Sequence, residues 1–220
     1  MMAESSAEDA RPNRMSRQRQ KTRERLIDAA LSVMARKGAD AATINDITEA
    51  ADVGFGSFYN YFASKEEIVW VALDALFDRI GAKIDNVAGS IADPLQALSS
   101  ALRIFVGLII AKPEWAGFVL RVSTMPGFTK VGLFARLYRD IHAAREAGRL
   151  CLVDPELVTH AVGGAMLFLV VALQEGDLPP AEAPARIAAM VLRILGVDEA
   201  EIARLVNLPL PRLVEDGDCP

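Results

Sequence analysis

Apolar residues recur along this chain at helical spacing. In Lys21–Lys37, Leu26, Ile27, Ala30, Leu31 and Met34 fall on one helical face. The segment closes on Arg36-Lys37-Gly38, cations that complement the last turn followed by a glycine able to take positive φ. Thr43-Ile-Asn-Asp46 and Ser64-Lys-Glu-Glu67 have the spacing of capping boxes and open new helices. Asp93-Pro94, Lys112-Pro113 and Asp154-Pro155 put proline in a first helical turn, where its missing N–H costs nothing. Gly148 and Gly196 follow helical patterns as stops. No run of alternating β-branched residues lies between hairpin turns. The predicted fold class is all-α, with about nine or ten helices.

A helix starting near Ser64 runs through Ile68, Val69, Val71, Ala72, Leu76 and Ile80, and is expected to fray around Gly81–Gly89. This organisation predicts a disordered leader (1–16), a three-helix bundle (17–65) and a larger helical domain (66–220), the last two joined through that helix. With 52% hydrophobic and 24% charged residues the chain has enough apolar mass for a core, which excludes whole-chain disorder. The longest uncharged apolar run, Ala161–Leu173, is 13 residues, short of the roughly 20 a spanning helix needs. Met1–Ala10 is acidic and lacks the apolar core of a signal peptide. Cys151 and Cys219 give neither a disulfide framework nor paired metal spacing. A cytoplasmic protein with no membrane partner, no metal and no cofactor is expected.

Charge sharpens this picture. The net charge is −5, yet Arg11–Arg25 holds seven basic residues against the single acid Glu24. Residues 66–220 carry 14 basic and 20 acidic side chains, a balance of −6. A basic arm for a polyanion, attached to a body that does not bind one, fits this asymmetry, as does a solvated leader.

Residues 43–62, TINDITEAADVGFGSFYNYF, read as a short helix (44–51), a tight turn at Asp52–Gly54 and a second helix (55–62). Ile44, Ile47, Ala51, Val53, Phe58 and Phe62 are its expected core. Asp52 is predicted to take the left-handed backbone conformation, which Asp tolerates better than most residues. Two such helices form a helix-turn-helix, whose second helix can enter the DNA major groove.

The stretch Thr43…Ile47…Ala51-Asp52-Val53…Gly56-Ser57-Phe58-Tyr59-Asn60-Tyr61-Phe62-Ala63-Ser64-Lys65-Glu66 closely resembles the DNA-binding signature of the TetR-type (tetracycline-repressor-like) transcriptional regulators. The likeness covers about residues 21–75; the remainder agrees in length and helical character. It implies that Thr43 contacts a phosphate, that Ser57 and Tyr61 face the bases or the groove wall with Asn60 beside them, and that Tyr59 gives its hydroxyl to a phosphate. Lys65 would pair with another phosphate at a helix start, and Gly56 would let the backbone approach DNA closely. Asp52, Thr48 and Gly54 depart from the usual glycine, alanine and capping serine. Phe55 stands where a polar or basic residue is common, and a thymine methyl is a contact it can make.

Within residues 93–195, Phe105, Ile109, Trp115, Phe118, Val122, Phe134 and their apolar neighbours are candidates to line a cavity, with Arg121, Tyr138 and His142 as polar handles. The resemblance implies a small-molecule effector there; an ordinary core is the alternative. Glu156–Glu175 is apolar on every side from Ala161 to Leu173, and a helix hydrophobic all round must be buried all round. A second subunit is the expected cover. The expected homodimer interface comprises Val162, Met166 and Leu169 with Ile187, Val191 and Ile194, and the resemblance implies the same pairing. A dimer presents two recognition helices, hence a near-palindromic double-stranded DNA operator.

Enzyme readings find little support. Gly54-Phe-Gly56 follows no strand and lacks the third glycine of a dinucleotide fingerprint. No Gly-x-Ser-x-Gly elbow occurs, and His142 and His160 are the only histidines for a triad or metal site. A helical small-molecule carrier whose DNA-binding motif no longer works is the remaining alternative, against which the basic arm, Tyr59 and Lys65 weigh.

Overall fold

The computed structural model describes residues 14–113, 116, 117, 119, 120, 123, 129, 132–151 and 154–210. Among them all regular structure is helical: α1 (Arg14–Lys37), α2 (Ile44–Ala50), α3 (Phe55–Phe58), α4 (Lys65–Ala88), α5 (Pro94–Ala111), α6 (Gly132–Glu146), α7 (Pro155–Glu175), α8 (Ala183–Ile194) and α9 (Glu199–Asn207). The described residues divide into two compact units between Ala72 and Leu73. The division falls inside α4, so the first two turns of that helix belong to the N-terminal unit.

In that unit α1 buries Leu26, Ile27, Ala30, Leu31 and Met34, the face its spacing predicts. Gly38, at φ 82°, then turns the chain, its N–H donating to the Met34 carbonyl at 2.9 Å. Because α1 begins at Arg14, Arg14–Ser16 are helical and not part of a leader. Thr43 caps α2 with a full capping box: its Oγ accepts from the Asp46 N–H and its own N–H donates to the Asp46 carboxylate, both at 3.1 Å. Asp52 has φ 49°, the left-handed turn the sequence requires. Regular α-helix covers only Phe55–Phe58, not the predicted 55–62. Beyond Phe58, Asn60 and Tyr61 donate to carbonyls three residues back, which tightens the turn. Ile47, Ala51, Phe58 and Phe62 form the core expected of the motif, while Ile44 and Val53 are half-buried. Burying side chains of this size contributes roughly 1.5–3 kcal/mol each.

The second unit is organised around α5, which packs against α6, α7, α8 and α9. Asp93 and Asp154 cap α5 and α7 ahead of Pro94 and Pro155 as expected, accepting from the N–H groups of Leu95 and Leu157. Arg103, on α5, donates to the Leu208 carbonyl at 2.7 Å and so closes the end of α9. Arg149 bridges Asp93 and Glu201, while Arg204 also holds Glu201. Paired to these two guanidinium groups, Glu201 has its pKa lowered to about 2.

Two further expectations differ from the structure. α4 does not fray near Gly81 but runs to Ala88. Gly81 makes room for the Arg136 side chain, which a Cβ there would overlap. Arg136 then ties Asp78 and Asp85, one turn to either side, to α6.

The second correction concerns the outward face of α7 and α8. Val162, Met166, Ile187 and Val191 are buried within the unit, which leaves little of their surface for a partner; Leu169 is half-buried, and Ile194 is exposed. The outward stripe on α7 is instead Leu157, Ala161, Gly164 and Phe168, continued on α8 by Met190 and Ile194. Phe168 is 78% exposed. Periodicity misses this because α7 is apolar on both sides and offers no polar stripe to set its phase. By length and composition α5 and α7 each reach a bilayer span, contrary to the reading from the uncharged run alone. Half of α5 is buried in the unit against 28% of α7, which leaves α7 with apolar surface to cover.

Candidate nucleic-acid interface and effector cavity

α3 has four residues, and neither Phe55, which opens it, nor Tyr59, its C-cap, can enter a core that Phe58 and Phe62 already fill. Phe55 and Tyr59 therefore stand outward, 51% and 55% exposed, in edge-to-face contact at 6.1 Å. Gly56, Ser57 and Asn60 are exposed beside them. A Cβ added to Gly56 would meet nothing within 4 Å, so nothing in the chain itself demands glycine there.

The N-terminal part of α1 reaches the end of this segment. Arg19 donates to the Asn60 carbonyl at 3.1 Å and stacks over the Tyr61 ring at 5.9 Å, and Arg23 lies over Phe62 at 5.2 Å. Tyr61 is half-buried beneath that contact. Arg14, Arg17, Arg19 and Lys21 are exposed. Arg25 donates to the Ala51 and Asp52 carbonyls and pairs with the Asp52 carboxylate at 3.3 Å, fixing the turn before α3. Much of the basic segment is thus a helix braced on the motif, while Arg11 lies outside the described residues.

Two predicted phosphate ligands have internal partners. The Thr43 hydroxyl belongs to the capping box, donating to Asp46 Oδ2 at 2.8 Å. Lys65 Nζ donates to the Asp40 carbonyl at 2.7 Å, which uses one of its three N–H bonds. The Lys37 ammonium, 2.6 Å from Asp46, with the Thr43 hydroxyl and N–H, holds the Asp46 carboxyl at about 2. Ser64 caps α4 by accepting from the Glu67 N–H, but Glu67 reaches back to the Ala63 N–H and not to that of Ser64.

The second unit contains a cavity of about 110 Å³. α4 supplies Phe77, Ile84 and Asp85; α5 Leu98, Ala101, Leu102 and Phe105; α6 Leu133, Phe134, Arg136, Leu137 and Asp140; α7 Gly163, Met166, Leu167 and Val170, with Val119 completing the lining. Gly163 is required by this packing, since a Cβ there would lie 2.6 Å from the Phe134 ring. Asp85 receives Arg136 at 3.0 Å and Arg139 at 2.6 Å, and Asp140 receives Arg139 at 2.8 Å. Burial disfavours the charged Asp85 carboxylate, but hydrogen bonds from Arg139 and Arg136 outweigh it and lower its pKa. Asp140 goes the other way: burial raises its pKa despite Arg139.

Of the residues expected to line a cavity, Phe105, Phe134 and their apolar neighbour Leu137 are on this lining. Ile109 is buried elsewhere, and Tyr138 and His142 stack on each other at 4.1 Å without reaching the lining. Trp115, Phe118, Arg121 and Val122 lie outside the described residues. Asp85, Arg136 and Asp140 were not foreseen. Arg136 and Asp140, four apart on the helix face that carries Leu133 and Leu137, are the signal that would have found them.

Residues 26–70 match the model for bacterial regulatory proteins of the tetR family, and residues 93–207 that for the tetracyclin repressor-like C-terminal domain. The HTH-type transcriptional repressor KstR of Mycolicibacterium smegmatis is 38% identical over 77 residues, 35% of this chain and 38% of that protein. The HTH-type transcriptional regulator TcmR of Streptomyces glaucescens is 33% identical over 99 residues, 44% and 43% of the two chains. The chain thus spans well under half the length of these curated relatives. They are named as regulators, not as enzymes. The crystal structure of RolR in complex with resorcinol superposes with a TM-score of 0.74 at 30% identity, covering 90% of this chain and 99% of that one.

Proposed function

The chain belongs to the TetR family of bacterial regulatory proteins, and from that premise we propose that it is a homodimeric, sequence-specific transcriptional repressor. In this reading it occupies a near-palindromic operator in double-stranded DNA in the cytoplasm and leaves it when a small molecule binds the second unit. The observation that carries the reading is the surface of the first unit. Phe55, Gly56, Ser57, Tyr59 and Asn60 are exposed on one short segment, braced by a helix with a basic N-terminal half. Such a surface pairs candidate base readers with phosphate partners, the division of labour protein–DNA contacts need. Thr43, Tyr61 and Lys65 complete the proposed contact set, Lys65 with the donors it keeps beyond Asp40.

The outward stripe of Leu157, Ala161, Gly164 and Phe168, with Met190 and Ile194, is the proposed twofold interface. Its small residues allow two helices to approach closely, and covering Phe168 removes an exposed apolar patch. The cavity is the proposed effector site, supported by the resorcinol held by RolR. α4 carries both Lys65 and the cavity residues Phe77, Ile84 and Asp85, so a ligand acts on a helix the first unit shares. A coupling of about 1–3 kcal/mol weakens operator binding 5- to 150-fold.

Selection of bound duplexes from a random or genomic pool, followed by titration at two salt concentrations, tests the reading. The expected result is an enriched near-palindrome bound by two chains. Absence of enrichment, with only weak salt-labile binding, would reject it.

A further inference from the structure

The chemistry of the ligand follows from the shape and polarity of the cavity, an inference that rests on reading that cavity as the effector site. We propose that it takes an uncharged single-ring hydroxyarene, the ring held among Phe77, Phe105 and Phe134 and the hydroxyl read by Asp140 and Arg136.

Size comes first. An apolar cavity of about 150 Å³ accepts benzene, and this one, at about 110 Å³, is on the scale of a single ring. Three phenylalanine rings on the lining offer the edge-to-face partners an aromatic guest prefers.

Polarity comes second. Among the described residues, Asp85, Arg136 and Asp140 form the polar wall of the cavity, backed by Arg139. Counting Asp78, which also pairs with Arg136, three carboxylates face two guanidinium groups there. A ligand carboxylate would add a fourth negative charge to that excess, and an ammonium would lie against the Arg136 guanidinium that lines the cavity; burying an unpaired charge is costly. The remaining valences are specific. Among the described residues, Arg139 reaches Asp140 only at Oδ1, leaving Oδ2 to accept. Arg136 uses Nε on Asp85 and Nη1 on Asp78 and the Gly132 carbonyl, keeping Nη2 to donate. A hydroxyl is the smallest neutral group that both donates and accepts. The wall is also built into the backbone, since Gly81 exists at a position where any Cβ would overlap Arg136.

Calorimetric titration of the full-length, DNA-free protein with phenol, benzene-1,3-diol, toluene, benzoate and octanoate tests this directly. Phenol and the diol should bind tightest, with benzoate and octanoate at least about tenfold weaker, consistent with the cost of unpaired charge. Asp140→Asn should weaken phenol and the diol by about tenfold or more, the scale of a hydrogen bond to a charged group, and leave toluene unchanged. Ala101→Leu, which fills the cavity from α5, should abolish binding of all the ring compounds. Benzoate or octanoate binding as tightly as phenol, equal phenol affinity in the Asp140→Asn variant, or no binding of any arene to the wild-type protein would each overturn the proposal. Operator binding by ligand-free protein is a separate readout: its failure would reject the repressor reading and leave the titration to stand or fall by itself.

Discussion

The two units carry their proposed sites in opposite ways. The first displays its site by breaking a pattern: Phe55 and Tyr59 are aromatic, yet more than half exposed, because Phe58 and Phe62 already occupy the small core. The second hides its site within a pattern, since Phe105 and Phe134 have the helical spacing of ordinary core residues. A surface site is an excess of apolar side chain where water should be. A cavity is a deficit of packing, and a deficit leaves no mark on any single residue. What distinguishes the second site is charge out of place, Asp85, Arg136 and Asp140 against an apolar lining.

Substitutions can break this contrast. The largest effect is expected from Phe58→Ala, which empties the core of the first unit at a cost of about 3–5 kcal/mol. Operator binding should disappear, while calorimetry on the second unit's ligand site should still detect it; loss of both would mean the units are not separable. Next come two neighbours on α7 with opposite exposure. Met166→Ala should destabilise by about 2–5 kcal/mol without changing the oligomeric state. Phe168→Asp should yield monomers in sedimentation velocity; a persistent dimer would place the interface elsewhere.

Acid should act on both units alike. Asp46 and Glu201 are held at about 2, below their ordinary 3.8 and 4.5. Each is therefore stabilising above its unfolded pKa, and that contribution is lost as pH falls from about 4.5 toward 2. Melting temperatures across that range should fall, and Lys37→Met should flatten the part due to Asp46. The smallest effect on stability is expected from Gly56→Ala, which has open space and improves helix propensity by roughly 0.5–1 kcal/mol. Operator affinity should nevertheless drop, because the added methyl meets the partner and not the protein. Unchanged affinity would remove Gly56 from the contact surface.

How much was legible follows the same contrast. Thr43, Asp93 and Asp154 cap the helices the sequence assigns them, because a cap needs partners only two or three residues away. Asp52 takes its left-handed turn for an equally local reason. The phase of α7 was not legible, since a helix apolar all round gives no side to choose. Nor was the continuity of α4 past Gly81, which depends on Arg136, more than fifty residues away in sequence. Local rules reach as far as one turn of helix, whereas the cavity is assembled from four helices and Val119.

The central claim is that the exposed segment around α3 reads DNA. Anisotropy titration of the selected operator duplex with wild-type protein and with the Tyr59→Phe, Lys65→Ala double variant tests it most directly. A loss of affinity of about tenfold or more, the scale of losing two phosphate hydrogen bonds, with melting temperature and oligomeric state unchanged, is the predicted result. Full operator affinity in the double variant would contradict the account.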